Sequence, residues 1–167
     1  MEKTKMLPSD HFVRFYNEVF KFLESQGQGH LEKYWLSISK HQEMHCLELF
    51  KEKGLKGMFD YWNHIRIEEN CDLDFELKED CLHSSMNKCP SLTKVLDNDA
   101  EPSKRYCEHC PGWVGPLIRK TGHYYIANLK EYDNPSCEKW IYSDKDKAKN
   151  KVKELEQKGI PVIAYID

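Results

Sequence analysis

The apolar residues of this chain change period near residue 70, and that change limits it to a fold with helices first and a sheet afterwards. Before the change they recur at helical spacing. Phe12, Phe15, Tyr16, Val19, Phe22 and Leu23 form one apolar face, with Ser9 after Pro8 as the N-cap and Gly27 and Gly29 as the break. A longer helix is expected over 31–53, stopped by Gly54, and a third over 55–69 carries Leu55, Met58, Phe59, Trp62 and Ile65.

After the change, Leu73, Phe75 and Leu77 alternate with acidic residues, as in a half-buried strand, and 81–88 is its expected partner. Two short helices are expected over 92–96 and 113–120, separated by the polar stretch 97–104. A hairpin follows, 124–129 and 137–142, turning at Asp133, Asn134 and Pro135. A charged helix from Asp144 to Gly159 and a last strand over 160–165 complete the chain. The predicted order is three helices and then ββααββαβ. This is an α+β fold in one domain spanning 1–167, with helices on one face of a mostly antiparallel sheet.

Charge narrows the function. Twenty-five basic and 28 acidic residues leave a net charge of −3, without the basic stripe of a nucleic-acid protein or the polybasic patch of a membrane anchor. No stretch has the apolar length of a transmembrane helix, and the N-terminus lacks the apolar run of a signal peptide. Seven cysteines, an odd number, fit a reducing compartment and a thiol or metal site better than a disulfide framework. The expectation is a cytoplasmic protein that binds neither nucleic acid nor membrane. Its aromatic-rich N-terminal helices could bury the surface of a homodimer.

Four cysteines gather in one segment, as Cys89-Pro90, Cys107-Glu108-His109-Cys110 and Cys137. Cys89 precedes a helix whose first residue is proline, so the helix dipole favours its thiolate, and local chemistry marks it as the activated thiol. The Cys107–Cys110 turn admits three readings: two thiolates on one metal ion, a thioredoxin-like redox pair, or a nucleophile and its support in an enzyme pocket. The redox reading conflicts with the polar stretch before the turn and with Pro111-Gly112 where a helix should continue. Buried structural thiols are the alternative to all three. Cys46, Cys71 and Cys81 have no motif around them and read as packing.

His41 and His45 stand one turn apart on the second helix, with His45 near the centre of a stripe of Leu31, Tyr34, Ile38 and Leu49. Glu43 points away from the pair, so this is not the metalloprotease motif. His45 is either a satisfied core histidine or a distant contributor to the cysteine pocket. Asp97, Asn98, Asp99 and Glu101 suit a polar turn, while Gly112, Trp113 and Gly115 suit core packing or a cavity wall.

A helical N-terminal third, Cys89-Pro90 after a strand, the Cys107–Cys110 turn about twenty residues later, and Cys137-Glu-Lys-Trp140 resemble the L-2-amino-thiazoline-4-carboxylate hydrolase-like family. They are also similar to cysteine-containing four-vinyl-reductase domains. The likeness covers roughly residues 73–142. It implies an α+β domain with a pocket of Cys89, Cys107, Cys110 and Cys137, and hydrolytic opening of a small sulfur-containing heterocycle. The richer turn here, Cys-Glu-His-Cys followed by Pro-Gly-Trp, departs from that pattern and favours a metal.

The residues together suggest an enzyme hydrolysing a small C–N- or C–S-containing molecule. Cys89 is the nucleophile or a metal ligand, and His109 or His45 moves the proton. Cys107, Cys110, Cys137 and His45 are the candidate ligands for zinc or another transition metal. The alternative is a non-catalytic metal- or small-ligand-binding module built from the same residues.

Overall fold

The structure is a computed structural model that describes residues 10–97, 101–129 and 133–167. Ser9, Asn98 and Asp99, to which the sequence assigns capping or turn roles, lie outside the described residues.

Two long helices come first, α1 (Asp10–Ser25) and α2 (His30–Glu68). Strands β1 (Asp72–Leu77) and β2 (Cys81–Lys88) lead to α3 (Pro90–Asp97), a 3₁₀ turn (Tyr106–Glu108) and α4 (His109–Arg119). The hairpin β3 (Tyr124–Leu129) and β4 (Cys137–Tyr142), then α5 (Lys145–Gln157) and β5 (Val162–Tyr165), complete the expected ββααββαβ order. The sheet runs β1-β2-β4-β3-β5, and every pairing is antiparallel. The fold is α+β, as the change of period implied. Among the described residues no helix is long and apolar enough to cross a membrane.

Strand alternation sorts the sheet into two faces. Leu82, Ser84 and Met86 share one with Tyr125, Ala127 and Leu129 and with Cys137, Lys139 and Ile141. Its central residues pack with Cys46, Phe50, Leu55 and Met58 of α2 and Leu117 and Ile118 of α4. Cys81, Ile126 and Trp140 face the other way, onto Ala148 and Leu155 of α5. The sheet therefore carries helices on both faces, where the sequence suggested one. The charged α5 needs only Ala148 and Leu155 fully buried to cover its side, so its composition conceals the role.

Helix orientation differs from the apolar count at two places, and on α1 a buried polar residue explains it. The inward face of α1 is Val13, Asn17 and Phe20, while Phe12, Phe15 and Phe22 are exposed. Asn17 Oδ1 accepts from the Ser103 backbone N–H at 2.8 Å, and its Nδ2 donates to the Glu101 carbonyl at 3.0 Å. These bonds remove the usual penalty on a buried amide and draw the 101–105 segment onto the helix. On α2 the buried line is Leu31, Trp35, Ser39, Cys46 and Phe50. The stripe is thus rotated by about one residue from the expected one. It buries Cys46 and leaves His45 exposed beside an exposed His41.

Gly54 (φ 54°, ψ −138°) kinks α2 where a stop was expected; that backbone conformation is open essentially to glycine alone.

Candidate functional site

The 3₁₀ turn and the start of α4 place the chemistry. Arg105 anchors this region: its guanidinium bonds Glu108 at 2.6 and 2.9 Å and Glu32 of α2 at 2.7 Å, and lies over the Trp35 ring. Tyr106 is buried, and its hydroxyl meets Ser91 Oγ of α3 at 2.7 Å. α4 begins at His109 and runs through Pro111 and Gly112 rather than breaking there. Proline is tolerated in a first turn because its missing N–H would have no partner inside the helix. A Cβ on Gly112 would come within 2.8 Å of Trp35, and one on Gly115 within 2.2 Å of Tyr165. Both glycines are therefore close-packing residues that let α4 lie against α2 and β5.

This arrangement puts the four cysteines on one cavity of about 40 Å³. Cys89, Cys107, Cys110, Cys137, His109 and Lys139 line it, with Asn134, Pro135 and Ser136 among its other walls. It holds one or a few water-sized groups. Cys107 and Leu129 also line an open groove of about 270 Å³ with Lys104 and Val162, so solvent approaches the cavity from that side.

Within the cavity the thiols are not equivalent. Cys110 Sγ lies 3.3 Å from His109 Nε2, and His109 Nδ1 bonds the Tyr106 carbonyl. The carbonyl can only accept, so Nδ1 carries a proton; a second proton on Nε2 then points at the sulfur. His109 is buried among Phe20, Tyr106 and Trp113, with ring centroids 5.6, 5.1 and 4.6 Å away. Burial works against both charges. It pushes the Cys110 thiol up, but the His109 charge, Lys139 and the His109 hydrogen bond outweigh it and hold the thiol near 6. Burial also pulls His109 down, and the Cys110 thiolate with its hydrogen bond raises it above the ordinary imidazole value. The first turn of α4 adds its dipole in favour of the thiolate.

Cys89 stands where the sequence placed it. It immediately precedes α3, with its carbonyl accepting from Thr93 N–H at 3.0 Å, and its N–H donates to Pro135 at 2.6 Å. Yet burial, reinforced by the Cys110 thiolate, pushes its thiol up to about 11. Cys107 is pushed to about 12 by burial and the same neighbour. Burial first, and the Cys110 thiolate second, therefore oppose the activation that local helix chemistry gives Cys89.

His45 is not among the cavity residues, being exposed on α2. Among the described residues no three His, Cys, Asp or Glu side chains are grouped so as to hold a metal ion, so the expected set of Cys107, Cys110, Cys137 and His45 is not assembled. Cys46 and Cys81 are buried away from the cavity, as packing thiols. Cys71, read as packing too, lies within electrostatic reach of Cys89, Cys110 and Lys139 and bonds Glu69 Oε2 at 3.9 Å.

Lys139 is the residue that sequence reasoning passed over. It sits two positions after Cys137 on the same strand, so alternation alone places both on one face. Burial works against its charge, and the thiols of Cys110, Cys137 and Cys89 together with Tyr125 more than compensate, raising it well above the ordinary lysine value.

Comparisons of the chain with protein-family models, with curated proteins and with solved structures find no match in any of the three.

Proposed function

We propose that this protein is a thiol-dependent enzyme that hydrolyses a small C–N- or C–S-containing molecule, with Cys110 as nucleophile and His109 as its proton-transfer group. The observation that carries the reading is the Cys110–His109 contact of 3.3 Å, with the imidazole oriented from behind by the Tyr106 carbonyl. Nucleophile, base and orienting acceptor in series is the arrangement that activates thiols elsewhere. The small cavity limits the reacting part of the substrate to a few atoms.

For an amide-like substrate the steps balance as follows. Cys110 Sγ forms a bond to the electrophilic carbon, whose π electrons move onto its heteroatom. As they return, the C–N bond breaks and the His109 imidazolium gives its proton to the leaving nitrogen. Neutral His109 then takes a proton from water, and the resulting hydroxide adds to the thioester carbon. Cys110 leaves as thiolate, and the thiolate–imidazolium pair is restored. Ring opening of a small sulfur heterocycle, which the resemblance implies, follows the same course with the leaving atom tethered.

Thiol labelling tests this reading. At pH 7, limiting iodoacetamide should modify Cys110 at least tenfold faster than Cys89 or Cys107, read by peptide mass spectrometry, and His109→Ala should abolish the preference. Equal labelling of the cavity cysteines would sink it. The second reading, a metal-binding module, requires stoichiometric zinc in untagged protein, lost in a Cys107→Ser/Cys110→Ser variant; four thiols on one cavity are the observation in its favour.

A further inference from the structure

Lys139 belongs to two cavities. Beyond the thiol cavity it lines a second, of about 80 Å³, with Trp62, Phe75, Ser84, Val114 and Tyr125 among its walls. The register accounts for this: Lys139 pairs with Ser84 across β2, and Tyr125 stands one inward-facing position along on β3, opposite Ile141. The second cavity is largely apolar, yet three polar groups are built into its wall.

One of those groups lacks a protein counterpart. Tyr125 is 1% exposed, and its hydroxyl is buried with no hydrogen-bond partner among the described residues. A buried hydroxyl left unpaired is costly, and its neighbours here are Lys139 and a serine rather than a carboxylate. Lys139 is the cation on that wall: it stands half-buried between the two cavities, with the thiols of Cys110, Cys137 and Cys89 near enough to favour its charge.

We propose that Lys139, Tyr125 and Ser84 form a binding subsite for the carboxylate of a small ligand whose apolar body rests against Trp62 and Phe75. Lys139 supplies the counter-charge, and Tyr125 donates the hydrogen bond that it otherwise lacks. Lys139 borders both cavities, so a carboxylate held there lies on the wall that the subsite shares with the Cys110 cavity. Calling that molecule the substrate rests on the proposed function; the subsite itself does not.

The test uses butyrate and its neutral isostere butyramide, with binding read as thermal stabilisation and as ¹H–¹⁵N shift changes. Butyrate should bind wild type and Cys110→Ser, and butyramide neither. Lys139→Met should abolish butyrate binding. Tyr125→Phe, which keeps the buried ring, should weaken it about tenfold or more, the usual loss for a hydrogen bond to a charged group. Equal binding of butyramide, or butyrate binding unchanged in both Lys139→Met and Tyr125→Phe, would overturn the subsite. The Cys110→Ser arm separates the two proposals: butyrate binding there upholds the subsite even if Cys110 labels no faster than its neighbours. Loss of binding alongside a fast-labelling Cys110 overturns the subsite alone.

Discussion

Cys89 and Cys110 each sit at a helix start, yet burial and a thiolate neighbour drive one up to about 11 while a charged pair of neighbours holds the other near 6. The helix dipole is common to both and is worth well under what the neighbours contribute. The deciding groups are His109, adjacent in sequence, and Lys139, twenty-nine residues downstream. The rate of Cys110 alkylation should therefore rise with pH through about 6 and level off, well below the ordinary thiol range near 8.5. Removing either cation destabilises the thiolate, so His109→Ala and Lys139→Met should each move that midpoint upward, His109→Ala further. Cys89→Ser, which removes a neutral thiol, should leave the midpoint where it is. A stopped-flow alkylation profile checks all three. The sequence made His109 and Cys110 visible as a pair, since they are neighbours. It put the activated thiol at Cys89, because no local rule reports that Cys89 is buried beside Cys110.

At the scale of elements, α4 is the part that the sequence described least well. The period of its apolar residues pointed to a start near Trp113, while the structure begins it at His109, a turn earlier. That extra turn holds His109 and Cys110, and the later expected start came from treating Pro111-Gly112 as a break instead of a first turn. Gly112 and Gly115 then set how closely α4 approaches α2 and β5. Gly115→Ala should destabilise the fold by about 1–3 kcal/mol through overpacking against Tyr165, despite the better helix propensity of alanine; urea denaturation measures it. Asn17 does comparable work for α1. Asn17→Leu leaves the Ser103 N–H and the Glu101 carbonyl without their partner and should cost about 2 kcal/mol or more by the same assay. An apolar residue at that position would have looked favourable from sequence alone. The helix face is chosen by a segment more than eighty residues away, which periodicity does not sense.

For the whole molecule, the ion pair links site and stability. Cys110 is an acid whose folded value is depressed, so its contribution is present above its unfolded value and is lost as pH falls through about 6. His109 is a base whose folded value is raised, so its contribution is present below its unfolded value, near 6.5, and is lost as pH rises through the folded one. Near neutral pH the folded pair has moved one proton from sulfur to imidazole with no net uptake, and the two dependences cancel. The stability gap between wild type and Cys110→Ser should therefore be widest around pH 7 and narrow below pH 6. Denaturant titrations at pH 5 and pH 7.5 check it; a gap that widens on acidification contradicts the ion pair.

The α+β class and the antiparallel sheet were legible from residues alone, because period and turn chemistry are local properties, while a shared pocket of Cys89, Cys107, Cys110 and Cys137 was only what the resemblance implied. Which helix faces turn inward, which thiol ionises and what stands beside it were decided by the tertiary structure. Those outcomes depend on burial and on charges several ångströms apart in space but tens of residues apart in the chain. Folding lays Lys139 between two cavities beside Cys110 and turns His45 out to solvent, and the electrostatics of the site follow from that placement.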